Sequence, residues 1–187
     1  MNITQLVRMP FSDNGAWSEL RRRNLSIPFL AWIVVVPMSF LPPVLLYYVG
    51  TQYGDTFMQG FGDKEWRFIT TILFLAELLT FFVMGWLIYA VMDSHQLKVS
   101  YQDAYLLAAI APLPLWLSSL ALLVPMLAVS VVAVFAGLFF SCALVYQGLR
   151  SLSERTDNDV VVMSATYTIM AASLLAWGLL MAMVWAF

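Results

Sequence analysis

The sequence predicts an all-α fold, a polytopic membrane protein built as a bundle of five transmembrane helices. Three observations predict it. Hydrophobic residues make up 62% of the 187 residues and charged residues only 11%, far from the balance of a water-soluble domain. Five apolar runs, at about 27–49, 68–92, 104–124, 126–149 and 160–187, contain no Lys or Arg. Each has roughly the 17 to 25 residues that a spanning helix needs, and tilt absorbs the excess of the last. The runs are apolar throughout instead of alternating, which argues against an outer-membrane barrel. The chain thus divides into an N-terminal segment, 1–26, and a membrane domain, 27–187.

In the N-terminal segment a short helix is expected after Ser12 and Asp13, with Trp17 and Leu20 on one side and Arg21, Arg22 and Arg23 following. Such a helix can rest on an anionic leaflet or serve as a positive anchor with no particular lipid. The first span carries Pro37, Pro42 and Pro43, and the third carries Pro112 and Pro114. Each proline lacks a donor and releases the carbonyl about four residues earlier, here Ile33, Met38, Ser39, Ala108 and Ile110. A released carbonyl inside a membrane needs a new donor.

The first loop, GTQYGDTFMQGFGDKEWR, holds Asp55, Asp63 and Glu65 among glycines without the spacing of a calcium loop. It reads as a solvated turn with Tyr47, Tyr48 and Trp66 as interfacial anchors. The second span contains Glu77, the one charged side chain inside any of the five runs. Ser100 and Asp103 have capping-box spacing at the start of the third span, and Asp157, Asn158 and Asp159 can cap the fifth. These acids are read as structural. Ala133, Gly137 and Ser141 repeat every four residues on the fourth span, as do Ser164, Thr168, Ala172 and Ala176 on the fifth. Small residues at that spacing let helices approach closely, so the two spans are expected to pack on each other or on a second subunit.

Glu77 lies roughly 13 Å along the helix from Phe68, near the middle of a hydrocarbon core about 30 Å thick. An ionised, unpaired carboxylate there costs at least a few kcal/mol, and no Lys, Arg or His lies inside a span to hold it. The expectation is a protonated Glu77 that donates to the carbonyls of the Met38–Ser39 turn or to the Ser39 hydroxyl. Thr70 and Thr80 would extend that polar site, with Thr71 as a further candidate.

Seven basic residues, Arg8, Arg21, Arg22, Arg23, Lys98, Arg150 and Arg155, fall on one side of a five-span layout, against Lys64 and Arg67 on the other. The asymmetry predicts a cytoplasmic N-terminus and a C-terminus outside. No cleaved signal peptide is expected, because the first apolar run begins only near Ile27 and no small-residue cleavage site follows it. Cys142 is the only cysteine, so an intrachain disulfide is excluded. There is no HExxH, no GxSxG and no pair of intramembrane aspartates, and His95 stands alone in a loop. No catalytic residue, metal or cofactor is expected, and no nucleic-acid partner.

The stretch YQDAYLLAAIAPLPLWLSSLALLVPMLAVSVVAVFAGLFFSCALVYQGL resembles the core of the Yip family of Ypt/Rab-interacting membrane proteins. The motif positions are Tyr101, Asp103 and Ala104, then Pro112 in the third span, Pro125 at the following turn, and Tyr146 and Gly148 ending the fourth span. Upstream, MPFSDNGAW, VVPMSFLPPVLLYYVGTQYG and FLAELLTFFVMGWLI are similar to bacterial members. The resemblance implies a five-span protein with a cytoplasmic N-terminus in the inner membrane of a bacterium. For eukaryotic relatives it implies vesicle trafficking, Rab binding and pairing with other family members. This chain lacks their long cytoplasmic N-terminal region, which weakens the expectation of a Rab-type GTPase partner. The reading that follows is a membrane scaffold or adaptor working through helix contacts with itself or with other membrane proteins. The rival reading is a small permease or proton-linked carrier that uses Glu77 as its intramembrane acid.

Overall fold

Apolar residues at helical spacing open the described part of the chain, and they set the first helix. In the computed structural model, which describes residues 14–57, 59–153 and 159–186, α1 spans Asn14–Arg22 and buries Ala16, Trp17 and Leu20 on one face. On its exposed side Glu19 meets Arg22 at 2.7 Å and Arg23 at 3.4 Å. The Arg22 guanidinium holds the Glu19 carboxyl below the ordinary carboxylate range. Ser12, Asp13, Arg8, Arg155, Asp157, Asn158 and the side chain of Asp159 lie outside the described residues.

Among the described residues, five helices are long and apolar enough to cross a membrane: α2, Ile27–Phe57; α3, Trp66–Ser94; α4, Tyr101–Leu123; α5, Leu127–Leu152; and α6, which runs Asp159–Ala186 with Val160–Ala186 as its apolar part. Ser26 caps α2 by accepting from the Phe29 N–H at 3.4 Å, and Pro28 sits in the first turn, where its missing donor costs nothing. The helix widens into a π turn over Leu30–Val35 just ahead of Pro37 and is interrupted at Phe40 just ahead of Pro42 and Pro43. Both irregularities lie where a proline ring crowds the preceding turn.

Helix α2 does not stop at Val49 with the end of its apolar run but continues to Phe57, with a kink at Tyr53. The first loop then folds back on it. Asp55 accepts the Gly62 N–H at 3.2 Å, and a Cβ on Gly54 would lie 2.8 Å from the Gly62 nitrogen. Trp66, expected as an interfacial anchor, is instead buried against Gly50, with its indole N–H donated to the Phe61 carbonyl at 3.0 Å. Tyr47 and Tyr48 are exposed.

Helix α4 is the centre of the bundle, since every residue from Asp103 to Ala111 is buried. Its prolines divide it into Tyr101–Ile110, Leu113–Ser118 and a tighter 3-10 turn over Ser119–Leu123. The Tyr105 ring lies over Gly85 of α3, and its hydroxyl reaches the Phe82 carbonyl at 3.1 Å. The close approach expected of Gly137 is present, but its partner is α4. A Cβ there would meet the Pro114 carbonyl oxygen at 3.0 Å, and Ser141 donates to the Ala111 carbonyl at 2.6 Å. The stripe of Ala133, Gly137 and Ser141 thus serves the proline break, where backbone acceptors need a donor. On α6 the buried positions are Val162, Ala165, Thr166, Ile169 and Val184, whereas Ser164 and Thr168 are exposed and Ala172 is half-buried. The two small-residue stripes therefore do not face each other.

The two ends of the bundle differ. At one, α1 packs on the end of α5 and shares one buried core with Met92 of α3, Leu149 and Leu152 of α5, and Val162 and Ala165 of α6. Arg21, Arg22, Arg23, Lys98 and Arg150 belong to that end. At the other, Trp66, Ile69, Leu73 and Val184 form a second small core. There the Lys64 ammonium donates to the carbonyls of Val184 at 3.3 Å and Trp185 at 3.0 Å, closing the last turn of α6.

Candidate functional site: an acid in an apolar cavity and a docked N-terminal helix

Glu77 belongs to a helix without proline or other break, so its position follows from helix geometry alone: 11 residues beyond Trp66, roughly 16 Å into α3. Its side chain lines a cavity of about 320 Å³ between α2, α3, α4, α5 and α6. The walls are chiefly apolar. Hydroxyls of Thr80, Ser118, Ser119, Ser141 and Ser173 also line it, each already donating to a backbone carbonyl at 2.6 to 2.8 Å. Glu77 Oε2 and the Ser130 hydroxyl are the lining atoms that are buried without a hydrogen-bond partner among the described residues. The Trp116 side chain lies beside the Glu77 carboxyl on the cavity wall.

The polar site expected around Glu77 is assembled only in part. Thr80 shares the cavity wall, but Thr70 donates to the Trp66 carbonyl at 2.7 Å and Thr71 to the Arg67 carbonyl at 2.7 Å. Ser39 is fully buried and gives its hydroxyl to the Val36 carbonyl at 3.3 Å, inside its own turn. Neither Ser39 nor Met38 lines the cavity. The group that reaches Glu77 is Trp116, because the break at Ala111–Pro112 redirects the second half of α4. Trp116 and Ser130 were not legible as site residues. The available signal was a Trp two residues after Pro114, inside a span instead of at its end.

A second constellation lies beneath α1. Trp17 is fully buried, and a Cβ on Gly148 would meet its ring at 3.0 Å and the Leu107 side chain at 2.6 Å. Arg21 Nε lies 3.1 Å from Asp103 Oδ2, with the Asp103 side chain nearly buried and that of Arg21 about a third exposed. Ser100 caps α4 by accepting the Asp103 N–H at 3.1 Å, so the expected cap is present. The Asp103 carboxylate has the further task of holding α1. The apolar face of α1 therefore covers protein and is not available to a leaflet.

Three motif positions, Asp103, Ala104 and Gly148, gather in this region. Tyr101 contacts the rings of Tyr89 and Tyr105, at 5.3 and 4.9 Å between centroids. Pro112 marks the break in α4, Pro125 is exposed in the turn before α5, and Tyr146 is half-buried. His95 bonds the Val91 carbonyl at 2.8 Å through Nδ1 and faces the Ser164 hydroxyl at 3.3 Å through Nε2, joining α3 to α6.

The family model described as the Yip1 domain matches residues 6–185. No curated protein and no solved structure matches the chain.

Proposed function

The chain belongs to the Yip1 domain family of multi-pass membrane proteins, and from that premise we propose that it is a membrane scaffold or adaptor working through helix contacts with a second copy or with another membrane protein. The observation that carries this reading is the outward face of α6. Thr168, Ala171, Leu175, Gly178 and Ala182 are all exposed, at alternating spacings of three and four residues. That is the period of a packing seam, and small residues along it permit close backbone approach in lipid. A Cβ on Gly178 would meet nothing within 4 Å, so the chain's own packing makes no use of that glycine. The inner membrane of a bacterium, with α1 in the cytoplasm, accords with the basic residues at the α1 end.

The test is cross-linking in membranes. With Cys142 replaced by Ala, Gly178→Cys is expected to form a disulfide-linked dimer, and the outward Leu179→Cys much less. Gly178→Ile is expected to shift the purified protein toward monomer. A wild-type chain that remains monomeric in membranes and captures no membrane partner would reject the scaffold reading.

The cavity favours a second reading, a small carrier with Glu77 as its intramembrane acid. Glu77→Gln divides the two. As a proton site, its loss is expected to abolish pH-gradient-driven flux in proteoliposomes. In a scaffold the wild type shows no flux above empty liposomes, and the variant cross-links like its parent.

A further inference from the structure

Among the described residues, Glu77 is the one carboxylic acid on the cavity wall, and no Lys, Arg or His lines it. Aromatic rings are frequent there: Phe61, Phe81, Trp116, Trp177 and Trp185. Among the described residues Glu77 Oε2 and the Ser130 hydroxyl have no partner, although every other hydroxyl on the wall is bonded to backbone. A dry apolar space would favour an apolar side chain at position 77, because a buried carboxyl with an unused oxygen costs about 1–3 kcal/mol. Trp116 lies beside the carboxyl, and Glu77 itself is on the cavity wall. What would satisfy it is a donor carried by an apolar body. The volume, about 320 Å³, lies within the range of small-molecule sites.

The geometry points to a binding site for a hydrophobic organic amine, with its N–H donated to the Glu77 carboxyl and its aryl or alkyl body against the aromatic wall. An amine suits the site better than a neutral alcohol for two reasons. Its charged form makes a charge-assisted hydrogen bond with the carboxylate, roughly twice as strong as a neutral one. The same charge is attracted to the faces of Trp and Phe rings. Proton balance is simple: a free amine entering from the bilayer takes the proton of a neutral Glu77 carboxyl, so no lone charge crosses the hydrocarbon. The inference names a ligand class for the carrier reading but requires only occupancy, so binding without flux would keep it while dismissing the carrier.

The experiment uses the full chain in nanodiscs with 4-phenylbutylamine, and 4-phenylbutanol as the neutral counterpart, each measured by equilibrium dialysis against empty nanodiscs. Saturable amine binding is expected, about tenfold or more tighter than the alcohol, and about tenfold or more weaker in Glu77→Gln. Ser173→Phe, which fills the cavity and retains Glu77, is expected to abolish binding of both, and so keeps the proposal testable if Glu77→Gln does not fold. Equal binding of amine and alcohol would assign the cavity to acyl chains and overturn the proposal. So would unchanged amine binding in either variant, or none above empty nanodiscs.

Discussion

Trp17→Ala is expected to release α1 from the bundle and to destabilise the protein by about 3–5 kcal/mol, the range for truncating a buried aromatic residue. Trp17 is fully buried, and its ring lies against Gly148 and beside Leu107. Its indole N–H has no acceptor among the described residues, so truncation also removes an unsatisfied donor and gives back part of that cost. Trp17→Phe separates the two contributions, because it keeps most of the ring and drops the donor. It should cost less than about 1.5 kcal/mol. Thermal unfolding in detergent measures both, and trypsin cleavage at Arg21, Arg22 and Arg23 reports undocking directly. Cleavage of Trp17→Ala no faster than wild type would mean that Ala16, Leu20 and the Arg21–Asp103 pair hold α1 without Trp17.

Gly50→Ala is expected to be the most damaging methyl addition at the other end of the bundle. The new Cβ would lie 2.1 Å from Trp66 Cε2 and 2.4 Å from Cδ2, closer than any real contact. The ring cannot simply step aside. Its N–H is tied to the Phe61 carbonyl at 3.0 Å, and the Phe61 ring packs on it edge-on with centroids 4.8 Å apart. Overpacking of this kind costs about 1–3 kcal/mol, read as a lowered unfolding midpoint. Gly178→Ala is the matched control. With nothing within 4 Å, it should not destabilise the isolated chain.

The legible part of the fold was its class, its five spans and their order, because each depends on local composition. Helix ends were less legible. The α2 helix outruns its apolar segment by eight residues, since a helix can continue into a polar region wherever the loop folds back to cover it. The Ser100 cap was readable because capping is a local hydrogen bond. The Ser39 pairing proposed for Glu77 was depth matching between two spans, and depth leaves rotation about each helix axis undetermined. Ser39 found an acceptor in its own turn, and the broken α4 brought Trp116 to the acid instead.

The same limit separates the two sites. Composition and spacing alone established a helical membrane protein, an acid inside the second span, a short basic helix ahead of the first span and the proline breaks. Each follows from rise per residue, backbone donors and the cost of charge in lipid. Tertiary structure alone decided that Glu77 faces a cavity, that Gly137 and Ser141 serve α4, and that Asp103 holds Arg21. In a chain this uniformly apolar, the contrast between inward and outward faces is too weak to orient a helix. Which face turns inward is settled by close approach at glycine and by where the few donors and acceptors meet.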